Sequence, residues 1–235
     1  MPTVSGCIQP GRKRSIRFGL LSSLACQVIA LLCLRHWRSA TPWRDLDFFS
    51  GDFFVLNALL LLHRLRFSLG ILDSRETLRE ASGLNYDPAT IRLGTILAIA
   101  DLSVFLDYAH WHLVPALRQP VLQIAGLVLY ACAVAGLMWT DNYLTSHFQG
   151  DLNNRTLMTA GPFGVVRHPR YASLLLAKLG FALLFASILA WISLLASILM
   201  IQRRIRLEEA HLREVFGPAY FEYSERTTRL LPWIS

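Results

Sequence analysis

The sequence predicts an all-α integral membrane protein of about five or six transmembrane or re-entrant helices with a C-terminal cytoplasmic helix. Hydrophobic residues make up 54% of the 235 residues and charged residues only 17%, whereas about 25% of the residues of a soluble domain are charged. A chain of this length still exposes much of its surface, so the apolar excess does not fit the core of a soluble fold. The composition therefore excludes a disordered chain and a disulfide-linked miniprotein, and it favours helices in a bilayer.

The positively charged residues lie at the ends of the apolar runs. The formal net charge is +7, and basic groups stand at residues 12–17, before the first run, and at residues 203–206, after the last. Membrane proteins place such groups in cytoplasmic segments. Because no basic stripe alternates with aromatic residues, we do not expect a nucleic-acid partner. The four cysteines form no Cys-x-x-Cys pair and are interpreted as packing residues.

Five apolar runs are candidate membrane segments. They cover residues 18–34, 53–62, 93–108, 121–139 and 172–201. The first is interpreted as a retained anchor, since no clear cleavage motif follows it. The second is short for a bilayer that needs about 20 residues, so it either spans by snorkelling of its flanking arginines or lies at the interface. The last is too long for one span and is predicted to reverse near Ala186 or Ser187 as a helical hairpin.

The connecting segments predict an orientation. Residues 67–92 are more polar and are predicted to form a loop with one amphipathic helix. The basic residues of the loops place the N-terminus and residues 147–171 on the cytoplasmic side. In a bacterial cell this would be the cytoplasmic side of the inner membrane.

The motif Arg167-His168-Pro169-Arg170-Tyr171 lies between two of the apolar runs. A proline favours extended geometry in the residue before it and suits the first position of a helix, so a helix is predicted to begin at Pro169. The free amides at such a helix start attract a carboxylate or a phosphate. Alternatively, the arginine and tyrosine of the motif anchor the chain at headgroup level.

A second motif contains Arg204 and Glu208, which are four residues apart and share a helix face. With arginine first, this is the weaker orientation for an intrahelical ion pair. The two side chains are therefore predicted to hold different ligands, Arg204 a carboxylate and Glu208 a hydroxyl or ammonium donor. The alternative is a solvated helix face that flanks a membrane segment.

Taken together and in order, these motifs resemble the isoprenylcysteine carboxyl methyltransferase family and its bacterial relatives. The resemblance covers about residues 143–232 and rests on Arg155-Thr156-Leu157-Met158, the Gly-Pro-Phe turn at 161–163, Arg167-His168-Pro169-x-Tyr171, the hydrophobic hairpin, Glu208-Glu209-x-x-Leu212 and Phe216-Gly217-x-x-Tyr220-x-x-Tyr223. The Arg-His-Pro-x-Tyr motif alone also occurs in membrane sterol reductases and in methyltransferases of thiols and phospholipid amines.

The resemblance implies methyl transfer from S-adenosylmethionine to a lipophilic acceptor at the membrane, most directly a carboxylate. It implies catalytic roles for Arg204, Glu208 and His168, with Arg204 binding the substrate carboxylate. The cofactor contacts that it implies are His147, Arg155, Thr156, Leu157, Met158, Phe163, Arg167, His168, Pro169, Arg170, Tyr171 and Glu208. Phe163, Arg170 and Ser173 depart from the residues usual in the family.

The resemblance also implies different roles for the N-terminal and C-terminal parts of the chain. Residues 1–142 are expected to form N-terminal membrane helices that shape the substrate entrance. Residues 143–235 are expected to form the catalytic region, with the hairpin 172–201 and the C-terminal helix. The implied partners are a lipophilic or lipidated substrate and membrane lipid.

Three other functions remain open from the sequence. If the acceptor is a thiol or a phospholipid amine, a base must remove a proton, and His168 or Glu209 are the candidates. An NADPH-dependent membrane reductase shares the Arg-His-Pro-x-Tyr motif. A transporter or scaffold would use Lys178, Asp101 and Asp107 as pathway charges. A metal site is not expected, because Asp101, Asp107, His110 and His112 complete no known ligand spacing.

Overall fold

The computed structural model describes residues 53–63, 88–108, 113, 119–148 and 157–231. The chain divides into two compact units, Met1–Pro42 and Trp43–Ser235, and every described residue belongs to the second. The predicted first span at residues 18–34 lies outside the described residues, as does most of the polar stretch 67–92.

The described residues form seven helices and no strand, apart from one isolated bridge. The predicted all-α class is therefore confirmed for this part of the chain. The helices are α1 (Phe53–His63), α2 (Pro88–Leu106), α3 (Pro120–Phe148), α4 (Pro162–Val165), α5 (Pro169–Phe185), α6 (Ile188–Phe216) and α7 (Pro218–Arg226). Helix α3 runs through the expected boundary at residue 142, so the division into two functional regions stays a prediction.

Two of these helices are long and apolar enough to cross a bilayer. They are the segment Pro120–Leu144 of α3 and helix α6. Helix α6 exposes Ile192, Leu195 and Leu199 on one face, spaced three and four residues apart, as on a helix that faces lipid. These two helices are consistent with a membrane protein, while the predicted total of five or six segments stays a prediction.

Glycine allows α3 and α5 to approach each other closely. A Cβ atom on Gly126 would lie 2.5 Å from the backbone nitrogen of Leu184 and 2.7 Å from the carbonyl oxygen of Gly180. A Cβ atom on Gly180 would in turn lie 2.7 Å from the carbonyl oxygen of Gly126. Further along, Gly136 faces Ser173, so the two helices run antiparallel. Because apolar side chains gain little by leaving lipid for a helix interface, such backbone contact is a main source of helix association in membranes.

The chain reverses between α5 and α6 at Ala186 and Ser187, where the sequence predicts a reversal. Ala186 has a left-handed conformation (φ 49°) and ends α5. The Ser187 hydroxyl caps α6 by accepting a hydrogen bond from the Leu189 amide at 3.2 Å, and it donates to Asp107. Asp107 is thus a structural partner of the reversal.

Aromatic rings fill the space between α1, α2, α3 and α5. The ring of Phe53 lies 4.8 Å from that of Tyr130, 4.9 Å from that of Phe185 and 5.5 Å from that of Phe181, between centroids. Phe105 of α2 packs against the same group, with its ring edge-to-face to that of Phe185 at a centroid distance of 5.0 Å. This cluster joins the short helix α1 to the hairpin.

A polar cluster joins α2 to both arms of the hairpin. Lys178 of α5 forms an ion pair with Asp101 of α2 and donates to the Ser193 hydroxyl of α6 at 3.2 Å. The Ser193 hydroxyl donates to the other Asp101 oxygen at 2.7 Å. Within the described residues, no group of three metal-ligating side chains comes together.

Candidate active site

The Arg-His-Pro motif forms a turn that ends at the start of α5. Pro169 is the first residue of α5, as predicted from the sequence, and His168 is its N-cap. The turn is preceded by Gly161, which has a positive φ of 61° and whose Cβ position lies 2.4 Å from the ring of Tyr143. Only glycine fits this position without strain.

Tyr171, Arg204 and Glu208 form the centre of the site. The Tyr171 hydroxyl donates to Oε1 of Glu208 at 2.6 Å, and Nε of Arg204 donates to the same oxygen at 2.9 Å. Arg204 and Glu208, which the sequence predicts to hold different ligands, thus contact each other in this structure. The Glu208 side chain is still 20% exposed and that of Arg204 12%, so the pair is accessible from one side.

His168 lies between two carboxylates. Its Nδ1 atom is 3.7 Å from Oε2 of Glu208, and its Nε2 atom is 3.5 Å from Oε1 of Glu209. Burial lowers the pKa of His168 below its ordinary value of 6.5, against the opposing effect of the two glutamates. The imidazole is therefore expected to be neutral near pH 7.

Glu209 is the centre of a second cluster, which the sequence did not predict. Its side chain is only 3% exposed. Nε of Arg167 lies 3.3 Å from Oε1, Nη2 of Arg213 lies 3.6 Å from Oε2, and Nη2 of Arg229 lies 3.0 Å from Oε2. Three guanidinium groups thus surround one buried carboxylate, so Glu209 is poorly placed to act as a base.

The C-terminal segment is hydrogen-bonded to the turn that contains His168. Thr228 forms a parallel bridge with Val166, and the backbone amides of Arg167 and His168 donate to the carbonyl oxygens of Thr228 and Arg229 at 2.8 and 3.0 Å. The Arg167 guanidinium also donates to the carbonyl oxygen of Thr227 at 2.7 Å. We call residues 227–231 the C-terminal strap.

Helix α7 carries two buried tyrosines, one of which contacts the segment before the turn. The Tyr223 hydroxyl donates to the carbonyl oxygen of Phe163 at 2.7 Å. Tyr220 is buried, and burial together with the charge of Glu209 raises its pKa to about 12. Neither tyrosine was predicted as a site residue, although both belong to the motif that carries the resemblance.

The remaining predicted contacts differ in their exposure to solvent. Phe163 is half-buried, with its ring 6.2 Å from that of Tyr143, and Pro169 is buried. Arg170 points to an exposed position, where its Nε atom lies 3.8 Å from the buried carboxylate of Asp141. Leu157 and Met158 are half-buried in the segment before the turn.

Three predicted contacts fall outside what the structure describes. Arg155 and Thr156 are not among the described residues. His147 lies in α3, but its side chain is also outside the described part. Their roles remain predictions, together with those of the other proposed contacts.

The side chains present fit a methyl donor of the S-adenosylmethionine type. Its amino-acid part carries an ammonium and a carboxylate, and its ribose carries hydroxyl groups. A partly exposed carboxylate at Glu208 suits the ammonium or hydroxyl donors, and the adjacent guanidinium suits a carboxylate.

Comparison with known proteins finds a methyltransferase family and two curated relatives. Residues 120–219 match the model of a family described as phospholipid methyltransferase. The chain is 33% identical over 118 residues to the cobalt-zinc-cadmium resistance protein CzcN of Cupriavidus metallidurans, covering 50% of this chain and 52% of that protein. It is 30% identical over 115 residues to the protein-S-isoprenylcysteine O-methyltransferase of Xenopus laevis, covering 48% of this chain and 39% of that protein.

The chain thus spans about half the length of the first of these relatives and less of the second. The family match begins with α3 and ends in α7, so it contains Tyr171, Arg204 and Glu208. The predicted resemblance is confirmed over about half of the chain: residues 120–219 carry the sequence pattern of the phospholipid methyltransferase family, to which the isoprenylcysteine methyltransferases are related.

Proposed function

We propose that this chain is an S-adenosylmethionine-dependent methyltransferase of the membrane that acts on a lipophilic acceptor, most directly a carboxylate. The observation that carries the proposal is the cluster of Tyr171, Arg204 and Glu208 beside His168. It joins the two sequence motifs at the end of an apolar hairpin, within a region that matches a methyltransferase family. The named activity of one relative, O-methyl transfer, supports the choice of an oxygen acceptor.

Glu208 and His168 would hold the donor. When bound, S-adenosylmethionine supplies an electrophilic methyl group on a sulfonium. Tyr171 and Arg204 orient Oε1 of Glu208, which leaves Oε2 on the side of His168. A carboxylate fixed in this way accepts hydrogen bonds from ammonium or hydroxyl groups without reorganising, which favours tight and oriented binding.

Arg204 would orient the acceptor. A carboxylate acceptor is already ionised at pH 7, so the reaction needs a correct approach and no base. A guanidinium has five N–H donors, and Nε of Arg204 uses one of them on Glu208. The apolar hairpin beside the site would exclude water from the acceptor, which strengthens each of these contacts.

The same proposal includes a location. We propose a multi-pass membrane protein in which α3 and α6 cross the bilayer. The basic residues of the loops favour a cytoplasmic position for the N-terminus and for the site. A water-soluble donor would then enter from the cytoplasm, and a lipophilic acceptor from the membrane.

Donor binding tests the proposal directly. We would measure binding of S-adenosylmethionine and S-adenosylhomocysteine to detergent-purified protein by calorimetry. We expect saturable binding by the wild type and at least about a tenfold loss in Glu208→Gln, because a charged hydrogen bond contributes more than a neutral one. The matched control is Glu214→Gln, which makes the same substitution at an exposed position of α6 and should leave the affinity unchanged.

The acceptor is tested in a second step. Turnover with lipophilic carboxylates should be lost in Arg204→Met, even at saturating acceptor. Turnover with a lipophilic thiol or amine, and none with a carboxylate, would move the assignment to another acceptor class. Folded wild-type protein that binds neither adenosyl compound, but binds NADPH, would replace the methyltransferase by a reductase.

A further inference from the structure

Donor binding, which is assigned to Glu208 and His168, does not explain why the Glu209 carboxylate is buried. Its carboxylate is 3% exposed and points away from solvent, and a buried charge is costly unless it is paired and hydrogen-bonded. The groups that pair with it come from three parts of the chain: the turn before α5, helix α6 itself and the C-terminal strap.

Arg229 makes the closest of these contacts. Its Nε atom donates to Oε1 of Glu209 at 3.2 Å, and its Nη2 atom lies 3.0 Å from Oε2. Two parallel contacts of this kind form a bidentate pair, which fixes direction as well as distance. Arg213 and Arg167 each have one described contact with the carboxylate, at 3.6 and 3.3 Å.

Arg229 and Glu209 also both contact His168. The backbone amide of His168 donates to the carbonyl oxygen of Arg229 at 3.0 Å, while the Nε2 atom of its ring lies 3.5 Å from Oε1 of Glu209. The backbone of His168 is thus held by the same strap residue that holds the carboxylate beside its ring. Displacement of Arg229 would release both contacts.

We propose that Glu209 and Arg229 are positioning residues, which hold the His168 ring and its turn in the geometry that binds the methyl donor. This inference rests on the proposed function. Neither residue is assigned a contact with the donor or with the acceptor: both act through His168. The C-terminal strap is then part of the donor site, although it lies after the region that matches the family.

If Glu209 holds the His168 ring, the protonation of that ring should depend on the charge of Glu209. The groups that face His168 are Glu208 and Glu209 from α6, Arg167 from the turn and the ring of Tyr171 from α5. Glu209 raises the pKa of His168, so Glu209→Gln should move the protonation of this ring to lower pH. NMR titration of labelled histidine, assigned with His168→Gln, measures this shift, which a purely structural role elsewhere would not produce.

The binding test compares two arginines near the C-terminus that both pair with a glutamate. Arg229→Met removes the contact with buried Glu209. Arg226→Met removes an exposed pair with Glu222 on α7, in which the arginine is 75% and the glutamate 64% exposed. With S-adenosylhomocysteine as the probe, we expect at least about a tenfold weaker affinity for Arg229→Met and less than a twofold change for Arg226→Met.

A conservative variant separates positioning from folding. Arg229→Lys keeps the charge but loses the bidentate contact, so its affinity should lie between those of the wild type and Arg229→Met. Equal affinity of the wild type and Arg229→Met, or an unmoved His168 titration in Glu209→Gln, would overturn the inference. If the wild type itself does not bind the probe, the proposed function fails, and the positioning role in donor binding fails with it.

Discussion

Tyr220 and Tyr223 lie three residues apart on α7 and are both buried, yet their hydroxyl groups have different surroundings. That of Tyr223 donates to the carbonyl oxygen of Phe163 at 2.7 Å, whereas that of Tyr220 makes no hydrogen bond within the described residues. We therefore expect Tyr223→Phe to destabilise the protein by about 1 kcal/mol. Tyr220→Phe should cost nothing, because it removes a buried polar group that is not hydrogen-bonded.

Thermal unfolding of the two variants in the same detergent measures this difference. Each variant is the control for the other, since both remove one oxygen atom from the same helix. A lower Tm for Tyr220→Phe than for Tyr223→Phe would contradict the assignment of the hydroxyl contacts.

The sequence predicts the residues at the centre of the site better than the surrounding residues that hold them in place. Arg204, Glu208, His168 and Tyr171 all belong to short motifs, and the structure brings them together. Glu209 could be seen only as a candidate base, because its charge partners Arg167 and Arg229 are distant in sequence. No local pattern indicates which of two adjacent glutamates points into the protein.

At the level of the elements, the two glycines with positive φ have different reasons to be glycine. Gly161 has φ 61° and its Cβ position overlaps the ring of Tyr143, whereas Gly217 has φ 50° with no atom within 4 Å of its Cβ position. Gly217→Ala should therefore cost only the backbone strain, about 1 to 3 kcal/mol. Gly161→Ala should cost clearly more, because the ring of Tyr143 must also move.

Chemical or thermal unfolding of both variants tests this order. Donor binding adds a second comparison, since only Gly161→Ala should disturb the turn. Equal stability of the two variants would mean that the ring of Tyr143 yields without cost.

The helices were predictable where local signals exist. Pro169 begins α5 as expected, because a proline acts on the residues next to it. The reversal at Ala186 and Ser187 was indicated by an apolar run too long for one membrane span. The apolar pattern predicts a hairpin arm that ends at residue 201 and a separate C-terminal helix, yet α6 continues to Phe216. The apolar pattern stops at residue 201 because polar and charged residues follow it in the sequence. The backbone nevertheless remains helical to Phe216.

At the scale of the whole molecule, the contacts of the C-terminal strap constrain the membrane topology. We expect them to keep α7 on the same side of the bilayer as the His168 turn, because backbone hydrogen bonds join Arg167 and His168 to Thr228 and Arg229. Gln119 precedes α3, whose segment Pro120–Leu144 has 25 residues, enough for one crossing. We therefore predict that residues 119 and 225 lie on opposite sides of the membrane.

Cysteine labelling tests this topology. In a background without the four native cysteines, Glu225→Cys should react with an impermeant maleimide only in inside-out bacterial membrane vesicles, and Gln119→Cys only in right-side-out vesicles. Both should react after detergent solubilisation, which controls for local accessibility. Labelling of both positions from the same side would mean that α3 does not cross the bilayer and would contradict the proposed topology.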